Sequence, residues 1–294
     1  MWEEIFDNII NESKKNRVID PRDYRGEDGN LYCWKCHKAK EMVLNFPDGV
    51  FETRTVYPIC DCEKAEIDRQ DKARAEQQRR EKLERSKAQA FKDPTFRAMT
   101  FAADDGSNAE IMKKARAYVR HWPEMRDKNN GLLFWGTVGT GKTFTAACIA
   151  NELVERGVSV IMTSFPRIIN TLQGKWEDRQ ELLDELNDHD LLVIDDFSVE
   201  RKTEYAQEII YEVIDSRYKI GYPLIVTTNL TAQELKNPVD VSKKRIYSRL
   251  IDMCHPVEIA GTDRRRKNII RNFADMEAIL NEDEPEQEGD VKGA

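Results

Sequence analysis

Gly136-Thr137-Val138-Gly139-Thr140-Gly141-Lys142-Thr143 decides the fold. The run fills every fixed position of the Walker A pattern, and it stands between an apolar run, Leu132 to Trp135, and a helix-type stretch that opens at Lys142. Glycines let such a backbone curl until successive N–H groups converge on an anion, and the helix that follows adds the positive end of its dipole. Gly136, Thr137, Gly139, Thr140 and Gly141 are expected to cradle phosphates, with Gly141 keeping the backbone close where a Cβ would collide. Lys142 is expected to reach the β- and γ-phosphates, and Thr143 to set its hydroxyl on Mg²⁺. This chemistry calls for ATP with Mg²⁺.

Outward from the loop the pattern alternates. Apolar runs of strand type at Leu132 to Trp135, Val158 to Met162, Leu191 to Ile194, Leu224 to Thr227 and Pro256 to Ile259 are separated by longer amphipathic stretches. Helices are predicted at Lys142 to Arg156, Phe165 to Leu172, Arg179 to Asn187, Thr203 to Lys219 and Ser242 to Ile251. An earlier one, near Ser107 to His121, opens with the capping-box pair Ser107 and Glu110. Strands joined by helical crossovers predict an α/β fold with a parallel five-stranded sheet flanked by helices.

Two further strand ends carry polar groups. Leu191-Leu192-Val193-Ile194-Asp195-Asp196 has the Walker B form: Asp195 is the expected Mg²⁺ holder, and Asp196 the group that orients the attacking water. Leu224-Ile225-Val226-Thr227-Thr228-Asn229 ends in Asn229, expected near the γ-phosphate.

The cysteines group elsewhere. Four of six fall in Cys33-Trp34-Lys35-Cys36 and Cys60-Asp61-Cys62, a Cys-x-x-Cys followed by a Cys-x-Cys. Four thiolates suit tetrahedral Zn²⁺, and so short a module buries too little apolar area to do without such a staple. His37 is an awkward substitute ligand because it adjoins Cys36, and Cys148 and Cys254 read as small core residues. Trp2, Ile5, Phe6, Ile9 and Ile10 form a helical stripe for packing on that module or for a partner.

Charge divides the chain. The sequence of 294 residues has a formal net charge of -8, which argues against a binder that relies on overall positive charge. Much of the acidity sits at residues 281–290, a composition that cannot bury a core, while Lys243, Lys244, Arg245, Arg249, Arg264, Arg265, Arg266 and Lys267 leave a local basic surface. From Glu63 to about Lys92 strong helix formers of both charges, such as Glu81 and Arg85, predict an exposed helix. The expected organisation is a zinc-binding module at 1–62, a helical linker at 63–92, an ATPase domain at 93–274 and an acidic tail at 275–294. No apolar run nears the roughly 18 residues of a membrane span, and the first residues lack a signal-peptide pattern, so a cytoplasmic location without membrane partners is expected.

The order of Walker A, Walker B with paired acids, a strand ending in Thr-Thr-Asn and an arginine-bearing helix resembles the AAA+ ATPases. Over roughly Thr95 to Arg271 it resembles their DnaC, DnaI and IstB group of helicase loaders and transposition helpers, which lack the helical lid of most AAA+ proteins. The compact ending, Arg245-Ile246-Tyr247-Ser248-Arg249-Leu250, a strand, then Gly261-Thr262-Asp263-Arg264-Arg265, carries that likeness. The resemblance implies Arg249 as an arginine finger reaching a neighbouring subunit's nucleotide, with Arg245 as the fallback, and Arg265 as the sensor-two arginine, with Arg264 as its neighbour. An arginine supplied in trans implies an ATP-dependent homo-oligomer and slow hydrolysis by the monomer. Asp196 replaces the Glu usual in AAA+ proteins and also suits slow turnover. By arrangement the N-terminal module resembles that of DnaI-type loaders, which docks on the replicative ring helicase.

Phe165, Arg167, Lys175 and Trp176 are the candidates for single-stranded DNA, with Phe165 alternatively in the core. The implied function is helicase loading; the rival is a transposition helper acting on duplex DNA. A metabolic P-loop kinase lacks its acceptor site and arginine-rich lid here.

Overall fold

A computed structural model describes residues 19–44, 54–172, 178–197, 204–238, 241–261 and 263, with isolated positions toward either end. The chain forms two compact units, Met1–Lys82 and Leu83–Ala294.

In the first unit β1 (Tyr24–Arg25) pairs antiparallel with β2 (Leu31–Tyr32), and β3 (Met42–Leu44) with β4 (Arg54–Val56). The first turn is tied by Asp28, whose carboxylate accepts from the Asn30 amide (3.1 Å) and the Tyr32 hydroxyl (2.7 Å). Lys40 is buried and donates to Asp23 (2.8 Å), which also accepts the Asp20 and Trp34 amides. The helix α1 (Asp61–Ala90) runs for 30 residues. Asp61 and Glu63 in its first turn favour its dipole, and intrinsic propensity explains a helix so widely exposed. The Glu81–Arg85 pair does not form: Glu81 accepts from Gln77 (3.0 Å), while Glu66–Arg69 and Glu76–Arg79 pair one turn apart.

The second unit is built on a parallel sheet of β5 (Gly131–Trp135), β6 (Val160–Ser164), β7 (Leu191–Phe197), β8 (Leu224–Thr228) and β9 (Cys254–Glu258), in the order β6-β7-β8-β5-β9. Side chains alternate between two cores. Phe134, Met162, Leu191, Val193 and Ile225 pack with α2 (Ala109–Arg120), α3 (Trp122–Asp127) and α4 (Lys142–Glu155). Leu133, Ile161, Leu192, Ile194, Leu224 and Val226 pack on the other face with α5 (Phe165–Leu172), α6 (Arg179–Asn187), α7 (Glu204–Ile220), α8 (Ala232–Lys236) and α9 (Val241–Met253). A sheet covered on both faces explains why β7 and β8 read as unbroken apolar runs. Each such side chain contributes about 1.5–3 kcal/mol. Ala146, Ala147 and Ala150 let α4 lie close to the sheet, and Cys148 and Cys254 are buried core residues. No helical lid follows β9 among the described residues, and no helix there is long and apolar enough to cross a membrane.

Several expectations shift. The Ser107–Glu110 capping box is absent, because Asp105 accepts the Ser107 amide (2.9 Å) and Asn108 takes the cap position. Strand β7 continues through the paired acids to Phe197 rather than ending before them, and β9 opens at Cys254, two residues early. Phe165 takes the core alternative, packed on Phe197 with ring centroids 5.6 Å apart, so it offers no stacking platform; Arg167 is exposed. Lys175, Trp176, the stripe Trp2, Ile5, Phe6 and Ile9, and the acidic run at 281–290 lie outside the described residues.

Arg217, in the last turn of α7, is fully buried. Its guanidinium donates to the carbonyls of Pro223 (3.0 Å), His189 (2.8 Å) and Asp190 (2.9 Å), tying together the segments that enter β7 and β8. Burial pushes its pKa down to about 9, and Tyr222 stacks nearby.

Candidate functional site

The phosphate loop joins β5 to α4. Gly136, Gly139 and Gly141 all have positive φ (140°, 79° and 98°), the region only glycine enters freely. Space adds a second reason at two of them. A Cβ on Gly136 would meet the Ile259 carbonyl oxygen at 2.5 Å, and one on Gly139 would run into the Asp263 carboxylate. Thr140 donates to the Thr137 carbonyl (3.0 Å), closing the turn. Lys142 is buried, its ammonium on the carbonyls of Gly136 (2.9 Å) and Thr137 (2.7 Å), so its charge is held at the mouth of the loop.

The acids come from β7, where the ladder with β8 slips. Ile194 pairs with Val226 and Phe197 with Thr228, so Asp195 and Asp196 together oppose Thr227 alone. This is a β-bulge, and it puts Asp196 at φ 52°, a left-handed conformation costing roughly 1–2 kcal/mol. Thr227 Oγ1 donates to Asp195 Oδ1 (2.7 Å) and accepts the Asp196 amide (2.9 Å). The Thr143 hydroxyl also hydrogen-bonds Asp195. Burial raises the Asp195 pKa, opposed by the hydrogen bonds from Thr227 and Thr143, while the neighbouring Asp196 charge adds to the rise. Asp196 is exposed and accepts from Asn229 Nδ2 at 3.2 Å.

The structure therefore brings together Lys142 with its loop, and Thr143, Asp195, Asp196 and Asn229 in one connected set. The Thr143 hydroxyl at the start of α4 beside the Asp195 carboxylate is a donor set that would fit Mg²⁺. Thr227 and Asp263 were not singled out by sequence as site residues. A threonine inside a buried strand was the available signal for the first, because a buried hydroxyl requires partners.

The arginines separate. On α9, Arg249 is paired with Asp215 of α7 and lies over the Tyr211 ring at 4.8 Å. Arg245 is exposed, and it and Arg249 line one open groove of about 860 Å³ with Tyr218, Lys244 and Ser248. Arg264 and Arg265 lie outside the described residues.

In the first unit Cys33, Cys36 and Cys60 place their sulfurs within 4.8 Å of one another. Cys62 hydrogen-bonds Cys36 and Cys33. Against the burial that opposes it, hydrogen bonds from the Lys38 and Cys62 amides and from the other thiols hold Cys36 at about 6, while burial and the adjoining Cys36 push Cys62 up to about 11. Sulfurs that converge in this way are a donor set that fits a tetrahedral metal such as Zn²⁺. His37 instead meets the Tyr24 hydroxyl through Nδ1 (3.0 Å), its φ of 56° turning it aside.

The parallel sheet, the loop between its first strand and first helix, and the paired acids on the strand next to the β8 polar end define a P-loop protein of the AAA+ kind. Comparison with known proteins agrees. The chain belongs to the IstB-like ATP binding protein family, which matches residues 61–272. It is 27% identical over 173 residues to the replicative helicase loader DnaI of Bacillus subtilis (strain 168), covering 55% of each chain. It is 33% identical over 128 residues to the replicative helicase loader DnaC of Escherichia coli (strain K12), covering 42% of this chain and 51% of that one. The chain thus spans about half the length of these curated relatives. A crystal structure of DnaI aligns at TM-score 0.50 and 25% identity, over 60% of this chain and 96% of that chain.

Proposed function

We propose that the protein is an ATP-hydrolysing helicase loader, which binds a replicative ring helicase and helps place it on single-stranded DNA. The observation that carries this reading is the four-thiol cluster standing ahead of a complete P-loop domain in one chain. Transposition helpers, the rival reading within the family, usually begin with a helical arm instead. Two relatives named as replicative helicase loaders support the same choice.

In this reading Gly136, Thr137, Gly139, Thr140 and Gly141 hold the phosphates through backbone N–H groups, and Lys142 neutralises them. Thr143 and Asp195 hold Mg²⁺, which supplies charge neutralisation across the β- and γ-phosphates when bound. Asp196 orients the attacking water, and Asn229, bonded to it, keeps that carboxylate in place. Arg249 of α9 is the arginine finger that reaches a second copy, steadied by Asp215, with Arg245, exposed on the same helix, as the fallback; Arg265 is the sensor-two arginine. Cys33, Cys36, Cys60 and Cys62 hold Zn²⁺ and so shape the module that docks on the helicase. The protein acts in the cytoplasm as an ATP-dependent homo-oligomer.

The test is size-exclusion chromatography with light scattering, on this protein mixed with the replicative helicase of its source, in ATP or ADP. A stable complex that Cys33→Ser abolishes is expected. Absence of any complex in either nucleotide, together with ATP-driven assembly on duplex DNA, would replace the loader with the transposition helper.

A further inference from the structure

We infer that Thr227 is the positioning residue that splits the two adjacent acids into separate roles, one for the metal and one for water. The inference rests on the ATPase reading above and deepens it.

Two neighbouring aspartates on a regular strand would point to opposite faces of the sheet, and only one would serve the nucleotide. The bulge at Asp195 and Asp196 removes that restriction, because two residues of β7 share one position opposite β8. A bulge in a buried sheet leaves its extra amide without a ladder partner, and an unsatisfied buried amide is costly. Thr227 supplies what is missing. Its hydroxyl has one proton and two acceptor lone pairs; it gives the proton to Asp195 (2.7 Å) and takes the amide of Asp196 (2.9 Å). It is 1% exposed, so water cannot do the same work. A hydrogen bond to one carboxylate oxygen fixes the rotation of Asp195 toward Thr143. The bond from the amide holds Asp196 in its left-handed turn, where Asn229 meets its side chain. One hydroxyl therefore sets the Asp195 side chain directly and the Asp196 backbone turn, leaving Asn229 to hold the Asp196 carboxylate.

Thr227→Val keeps the shape and removes the hydroxyl, Thr227→Ala removes it without setting a methyl against the carboxylate, and Thr227→Ser keeps it. The full-length protein is titrated with a fluorescent ATP analogue, first in EDTA and then across Mg²⁺ concentrations, and ATP turnover is followed separately. In EDTA the valine and alanine variants are expected to bind as the wild type does, within about twofold. The Mg²⁺ needed for half of the affinity gain rises about tenfold or more, as loss of a charge-assisted hydrogen bond implies. Turnover falls by about tenfold to a hundredfold, and serine restores both. A merely structural threonine would lower the thermal midpoint and leave the Mg²⁺ requirement alone; that result overturns the inference. So does a serine variant that behaves like the valine one, and this arm holds even where valine fails to fold. A wild-type chain that binds no nucleotide with or without Mg²⁺ sinks the ATPase reading as well, whereas wild-type Mg²⁺ dependence in the variants sinks the role of Thr227 alone.

Discussion

The unit Met1–Lys82 and the unit Leu83–Ala294 are held together by unlike means. Among the described residues, the first buries Leu31, Cys33, Cys60 and Lys40 and little else, whereas the second packs a five-stranded sheet between two continuous apolar layers. Burial on the order of 25 cal/mol per Å² can sustain the second, whereas the described residues of the first contribute little of it. The difference teaches where each unit is vulnerable: one at a cluster of sulfurs, the other at its packing and at the few polar groups buried within it.

On the proposal that the four cysteines hold zinc, the largest effect should come from chelation. Structural zinc contributes on the order of 10 kcal/mol in small modules, so a strong chelator or Cys36→Ser is expected to abolish hydrogen-exchange protection across residues 19–44. The sheet unit should keep its thermal midpoint. Protection that survives chelation would mean that the first unit folds on its own contacts and would break the comparison.

Next comes Arg217→Met. Three carbonyls each lose the guanidinium as a donor and a buried site is repacked, so the sheet unit is expected to lose about 3 kcal/mol or more in urea unfolding. Hydrogen-exchange protection across residues 19–44 should stay unchanged. A loss under about 1 kcal/mol would show that α7 and the strand entries hold without their buried cation.

The smallest effect belongs to α1. Arg79 pairs with Glu76 at 3.5 Å on an open surface, and Arg79→Ala should change stability by under about 0.5 kcal/mol in either unit. A larger change would reveal a contact made by that helix that surface electrostatics does not supply.

What the sequence disclosed follows the same division. The glycine loop, the apolar runs and the acidic pair were legible because each is a local pattern: a fixed spacing, a buried strand, a charge at its end. The bulge was not, since register is a property of two strands together and nothing in Ile194-Asp195-Asp196-Phe197 alone reports its slip against Val226-Thr227-Thr228. Arg217 reads as an ordinary basic residue closing a helix, favourable to the dipole and solvated. Only the fold turns it inward. The Ser107–Glu110 pattern failed for a local reason, because Asp105 reached the Ser107 amide first. Phe165 offered a stacking platform on paper, yet its position opening α5 against β7 made it core.

Strand β6 forms one edge of the sheet, and edges with open backbone groups recruit foreign strands. Here the chain leaving α1 lies along that edge: Phe91 bridges Met162 in parallel, the Lys92 amide reaches the Met162 carbonyl at 3.4 Å, and Lys92 pairs with Glu185 at 2.7 Å. A shortened protein that starts at residue 93 would thus strip a guard from the sheet along with Phe91, which is 1% exposed. It is expected to clump at concentrations where one starting at residue 83 stays monodisperse in light scattering. For anyone preparing the ATPase part alone, two residues beyond a charged helix decide whether the sample remains clear.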